Sequence, residues 1–206
     1  ARGATALSDG MLRLGHDVNG LKWLFGRWQK KAALEFHGIA GCDVLVDELG
    51  TPLNGPFTVL TSLRPRGNGG PLWTFQTADG APILNLAAFT PAAPKLPGQL
   101  ELRLCQHVPD APEELTVTSV EPVIAPNDWH LVAITYDGEA LRIFSDGRLV
   151  GQRQSPQPVV RAGDALLIGT DSSVGFDGLI DEVAVLGSEL SLADIAEIAA
   201  IARADV

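Results

Sequence analysis

The chain has 206 residues, 46% of them hydrophobic and 19% charged, with a net charge of -10. That apolar content supports a large core and excludes disorder over most of the length. With no cationic run longer than Lys30-Lys31, the chain lacks the basic stripe that a nucleic-acid backbone demands, and no stretch approaches the roughly 20 apolar residues of a membrane-spanning helix.

The chain opens on Ala1 without a charged-then-apolar leader, which fits a processed secreted protein or an excised domain equally well. Residues 1–31 are the least regular part. Asp9-Gly10 and Asn19-Gly20 are turn signals on either side of a short strand at 11–14. The next segment concentrates Trp23, Phe25 and Trp28 with Lys22, Arg27, Lys30 and Lys31. Trp and Arg dominate interface hot spots, so Trp23, Phe25, Arg27 and Trp28 read as a partner-docking patch or as a first strand covering the fold.

From residue 32 the pattern is β throughout. Short strands are expected at 33–36 and 42–46 around a Gly38–Gly41 turn, then at 57–63, ended by Pro65 and the Gly67–Gly70 loop. Further strands follow at 72–76 and, beyond Asp79-Gly80, at 83–89. The proline-rich stretch 91–98 reads as a surface loop, because strand-like segments resume at once at 100–105 and 115–120.

Residues 129–150 carry the strongest local signal. Val132, Ile134 and Tyr136 alternate with Leu131, Ala133 and Thr135, and two Asp-Gly pairs, at 137–138 and 146–147, punctuate the run. Asp-Gly tolerates the positive φ of tight hairpins, so this is a three-stranded antiparallel meander. Trp129 offers more buried area than its neighbours and reads as core. Strands at 166–168 and 179–186 close the sheets; Ile180, Val183 and Val185 break strict alternation, which marks a bulge or burial on both faces. Ser191, with Asp194 three residues on, opens a helix whose stripe is Ile195, Ile198, Ala199 and Ala202. About a dozen strands between regular turns and one terminal helix make an all-β sandwich of two packed antiparallel sheets with a short C-terminal α-helix.

Three blocks, in order, resemble the laminin G-like domain of the concanavalin A-like lectin and glucanase superfamily. They are residues 33–46 with 56–65, residues 127–151, and residues 165–198 with a Phe-x-Gly-x-Ile-Asp-Glu-Val core at 176–183. The resemblance implies a jelly-roll β-sandwich over 32–206. It also implies a non-catalytic binding or adhesion module, secreted, periplasmic or cell-surface, that meets a glycan or protein through rim loops. The alternative is a structural accessory subunit of a larger assembly, docked through the N-terminal aromatics. Relatives often hold one structural Ca²⁺, which here would fall to Asp181 with Asp177 and Asp43. Yet the early loop reads His37-Gly38-Ile39-Ala40-Gly41 where such relatives place acids, and calcium asks for about six to eight oxygens.

Other chemistry is poorly served. Retaining glycosidases need two carboxylates on one face about 5 Å apart, whereas Asp181-Glu182 and Glu113-Glu114 are adjacent residues that a strand sends to opposite faces. No serine sits in a Gly-x-Ser-x-Gly elbow, and His130 beside Trp129 reads as framework rather than base. No enzyme activity is expected. Sugar sites favour flat aromatics, and Trp73 is the leading candidate for a ligand-stacking ring, with a place in the core as its other and preferred reading. Cys42 and Cys105 leave one disulfide or two buried thiols open.

Overall fold

The computed structural model describes residues 11–14, 22–26, 32–40, 43–47, 55–66, 69–77, 79–88, 98–106, 113–155, 165–170 and 174–204. In chain order these form β1 (Met11–Leu14), β2 (Lys22–Phe25), β3 (Ala32–His37), β4 (Val44–Asp47), β5 (Phe57–Pro65), β6 (Gly70–Gln76) and β7 (Pro82–Ala88). They continue as β8 (Leu100–Gln106), β9 (Glu113–Thr118), β10 (His130–Tyr136), β11 (Ala140–Ser145), β12 (Arg148–Gln154), β13 (Ala165–Ile168), β14 (Asp177–Leu186) and helix α1 (Leu192–Ala204).

The strands sort into two seven-stranded antiparallel sheets. The first runs β1-β4-β13-β6-β7-β8-β9 and the second β12-β11-β10-β5-β14-β3-β2. Because the chain crosses from β4 to β5 and back to β6, and again from β12 through β13 to β14, the layers are stitched together. This is a jelly-roll β-sandwich with one short C-terminal helix.

Alternation builds the core. Val59 and Leu63 of β5, Val132, Ile134 and Tyr136 of β10, and Leu141 and Ile143 of β11 face Leu84 and Leu86 of β7, Leu100, Leu102 and Leu104 of β8, and Leu166 of β13. The aromatic rings wedge between the sheets: Phe57 tilts against Tyr136 at 5.6 Å, Trp73 stands edge-on to Phe75 at 5.3 Å, and Phe36 meets Phe176 at 6.3 Å. Full burial of each such side chain stabilises the fold by about 2–3 kcal/mol relative to exposure. At one side the sheets touch through β12 and β9, where Gly151 leaves no side chain between its strand and the Thr118 carbonyl and Val120 N–H bonds Val150 O at 3.1 Å.

The expected meander is present. Ile134 pairs with Ile143, and Asp146 (φ 52°) and Gly147 (φ 82°) turn β11 into β12 with both residues at positive φ. The expected bulge is there too: the β14–β5 register slips between Asp181 and Ala184, with Glu182 at φ 53°. Helix α1 is capped as its sequence implies. Ser191 N–H donates to Asp194 Oδ2 at 2.9 Å, and Asp194 N–H to Ser191 Oγ at 3.2 Å. Ile195 then packs against Ala133 and Phe144 on the outer face of the second sheet, while Ala199 and Ala202 are also buried. Among the described residues no helix is long and apolar enough to cross a membrane.

Candidate functional site

One end of the sandwich gathers the connections that a binding surface needs. There β3 ends at His37, β5 ends at Pro65, β10 starts at His130 and β14 starts at Asp177, as their pairings show. Backbone bonds tie these connections together: Gly38 N–H to Phe176 O at 2.8 Å, Arg66 N–H to Asp177 O at 2.8 Å, Asp177 N–H to Gly69 O at 3.0 Å and Asn127 N–H to Pro65 O at 2.7 Å. Gly175 lets two loops touch, since a Cβ there would lie 2.6 Å from Ile39 N. The adjoining loops present Ile39 at 53% and Val174 at 51% exposure, two aliphatic side chains that the core does not use.

Next to them on β3 sits Glu35, buried on the outer face of the second sheet and ion-paired with Arg66; His37 Nε2 lies 3.6 Å from its other oxygen. A buried carboxylate is tolerated only when paired, so the pair pins the start of the β5–β6 connection onto β3. The rim is therefore tied down where it meets the sheet, and its described loop residues expose Ile39 and Val174.

The sequence-predicted ligands of a calcium ion do not converge. Asp177 and Asp181 sit four residues apart on β14 in the second sheet, about 13 Å at strand rise, whereas Asp43 precedes β4 in the first sheet. Calcium ligands lie within about 2.6 Å of the ion, and no group of three His, Cys, Asp or Glu side chains among the described residues is placed to hold a metal. A structural Ca²⁺ would have to draw ligands from elsewhere in the chain. Asp181 is instead buried and engaged, with Oδ2 where a side chain on Gly26 would otherwise go.

Trp73 is likewise not a surface ring: it is 1% exposed, deep between the sheets. Trp129, read as core, is only half-buried and lies one residue before β10 begins. Trp23 and Phe25 belong to β2, the edge strand of the second sheet, where the backbone pairs them with Leu34 and Ala32. Their side chains, together with Arg27, Trp28, Cys42 and the Cys105 side chain, lie outside the described residues.

Catalytic pairings fail on geometry. Asp181 is buried and Glu182 exposed, so the two do not share a face. His130, at 8% exposure, has both ring nitrogens engaged: Nδ1 lies 2.8 Å from Asp146 Oδ2, and Nε2 accepts from Ala125 N–H at 2.9 Å. A base needs a free nitrogen facing a substrate, and this one has none. Burial works against the charge on Asp146, but the His130 bond and the Leu131 N–H outweigh it and hold the carboxyl below its ordinary value.

The other meander turn behaves alike. Partial burial pushes the Asp137 carboxyl up, yet N–H bonds from Ala140 and Glu139 and the Arg142 guanidinium prevail and set it at about 2 instead of 3.8. A depressed carboxyl stabilises the folded chain above its unfolded value and loses that contribution as pH falls through the folded value. Thermal melts should therefore fall between pH 3.8 and about 2. Asp137→Asn, which keeps an acceptor for both turn amides, should flatten part of that slope while leaving the neutral-pH midpoint within a few degrees. An unchanged slope would show that Asp137 is not part of the acid response.

Two features went unread in the sequence. Ile39 lies in a glycine-flanked loop, which flags a surface position but not the loop of Val174 and Gly175 beside it. The His130–Asp146 bond was within reach, because a hairpin turning at 146–147 brings Asp146 back beside the start of its partner strand.

Residues 45–196 match the laminin G family model of the concanavalin A-like lectin/glucanases superfamily. No curated protein sequence matches the chain. Among solved structures, the receptor-binding domain of botulinum neurotoxin type G superposes with a TM-score of 0.66 at 12% identity, covering 93% of this chain and 46% of that one. The ligand-binding domain of botulinum neurotoxin serotype D, solved in complex with N-acetylneuraminic acid, gives 0.69 at 13% identity over 95% and 47%. The binding domain of Paraclostridial mosquitocidal protein 1 gives 0.66 at 11% over 92% and 47%. The chain spans a little under half the length of each, and at these identities the likeness speaks for the fold. With most of its length matched by the family model and two antiparallel sheets in jelly-roll order, the chain belongs to the laminin G-like part of the concanavalin A-like lectin/glucanases superfamily.

Proposed function

We propose that this chain is a non-catalytic, extracytoplasmic binding module that holds a polypeptide partner at the rim carrying Ile39 and Val174. The observation behind this reading is that pair of exposed aliphatic side chains, on loops locked to each other and to the buried Glu35–Arg66 pair. Exposed apolar groups on a rigid frame are what a protein interface recruits. A glycan is the second reading, since one structural neighbour was solved with N-acetylneuraminic acid. It is less well supported, because no aromatic ring among the described residues is more than half exposed to stack on a sugar. The binding role of the structural neighbours and the closed ring nitrogens of His130 support a module without turnover.

Purification from the native source should yield a stoichiometric polypeptide partner. The double variant Ile39→Glu/Val174→Glu should weaken that association by about tenfold or more, with its melting temperature unchanged. A glycan that binds the double variant as well as the parent would overturn the proposal.

A further inference from the structure

His130 is the first residue of β10 and joins three parts of the fold. A backbone N–H can only donate, so the 2.9 Å bond from Ala125 N makes His130 Nε2 an acceptor, and the proton therefore sits on Nδ1, directed at Asp146 Oδ2 2.8 Å away. The buried ring is thus satisfied on both sides.

The two sides differ in firmness. Asp146 is held from several directions: its Oδ1 accepts Leu131 N–H at 3.0 Å, its own N–H bonds Leu131 O at 2.8 Å, and its carbonyl accepts Arg203 Nη2 from α1 at 2.9 Å. Ala125 belongs to the 119–129 connection, and among the described residues no backbone carbonyl of another element takes its amide. Downstream, Asn127 at φ 67° bonds Pro65 O through its N–H, and its carbonyl accepts Arg64 Nε at 2.7 Å. Arg66, the next residue beyond Pro65, carries the ion pair to Glu35 at the rim.

We propose that His130 is a proton-operated latch: a second proton on the imidazole breaks its bond to the Ala125 amide and loosens the connection that steadies the rim. The proton comes from solvent and binds Nε2, which changes from acceptor to donor while facing another donor. The acceptor within reach is the Ala125 carbonyl, at 3.3 Å, so the peptide must shift to meet it. The Asp146 bond becomes charge-assisted and stronger, so the ring stays and Ala125 yields. The movement passes through Asn127 to Pro65 and Arg64, and so to Arg66. The charged residues on the surrounding elements are Asp146 and Arg148 at the β11–β12 turn, Asp194, Glu197 and Arg203 on α1, Arg64 on β5, and Glu121 and Asp128 on the connection itself; of these, Asp146 bonds the ring. The device does not depend on what the rim binds.

The test is nuclear magnetic resonance of the ¹⁵N-labelled chain between about pH 8 and pH 5, the range in which histidine ordinarily titrates. The Ala125 and Asn127 amides should shift with the same midpoint as the His130 ring, and exchange protection at Ala125 should drop by about tenfold. Amides of Val132 and Ile134 should stay protected throughout. His130→Gln can still bond both neighbours without titrating, and should abolish the response. The latch is refuted if Ala125 protection stays flat through the ring's titration, if the ring stays neutral down to pH 5, if core amides lose protection together with Ala125, or if the Gln variant responds as the parent does. The parent measurements decide the matter even if the variant folds poorly.

Discussion

Gly169→Ala should lower unfolding free energy by about 3 kcal/mol or more, visible as a fall in the urea midpoint at unchanged slope. Gly169 follows β13 at φ 90°, and a Cβ there would lie inside the Phe36 ring, 2.9 Å from Cζ and nearer still to Cε1 and Cδ1. Phe36 is fully buried and stands edge-on to Phe176, so its ring cannot turn aside without opening the core. Nor can the backbone relax to negative φ: Gly169 N–H bonds Leu72 O at 2.9 Å, and its carbonyl accepts Phe176 N–H at 2.7 Å. Left-handed strain of about 1–2 kcal/mol adds to the overpacking. A loss below about 1 kcal/mol would mean that Phe36 has a second resting place and that this corner of the core is loosely packed.

The same glycine shows what a sequence can and cannot convey. Gly169 is legible as a place of close approach, because glycine inside a strand-rich block has few other uses. That its neighbour is Phe36 depends on how the end of β13 in the first sheet packs over β3 in the second, which no local pattern writes. The meander and the helix cap were fully legible, since the Asp-Gly turns and the Ser191–Asp194 pair act within a few residues of themselves. The bulge at Glu182 was legible for the same reason, from the broken alternation around it. The rim was not: the loops that carry Ile39 and Val174 touch, through Gly175 and the Ile39 backbone, only after β3 and β14 have paired. The carboxylates failed in the opposite sense. Asp43, Asp177 and Asp181 resemble a ligand set as letters, but pairing assigns them to different sheets and to separate positions along one strand.

The two tryptophans part company in the structure, Trp73 fully buried and Trp129 half-buried, and the buried one carries the second large prediction. Trp129 falls one residue before β10 and has the parity of Ala133, away from the inner face, whereas Trp73 shares with Phe75 the inner face of β6. Trp73 pairs along the backbone with Ile168 and Leu86, and its buried Nε1 has no hydrogen-bond partner among the described residues. Trp73→Ala should therefore cost about 3–5 kcal/mol, from lost transfer energy and the cavity left behind. Trp73→Phe should cost distinctly less, because it keeps much of the aromatic bulk and removes a buried donor that itself costs about 1–3 kcal/mol. Denaturant titration of both variants gives the ranking, and the Phe variant gives a folded sample if the Ala variant has too little stability left. Partner affinity of the folded Phe variant should match the parent. A tryptophan that stacks on a ligand behaves the other way, giving up affinity while the fold hardly notices, so equal stabilities with impaired binding would return Trp73 to the surface.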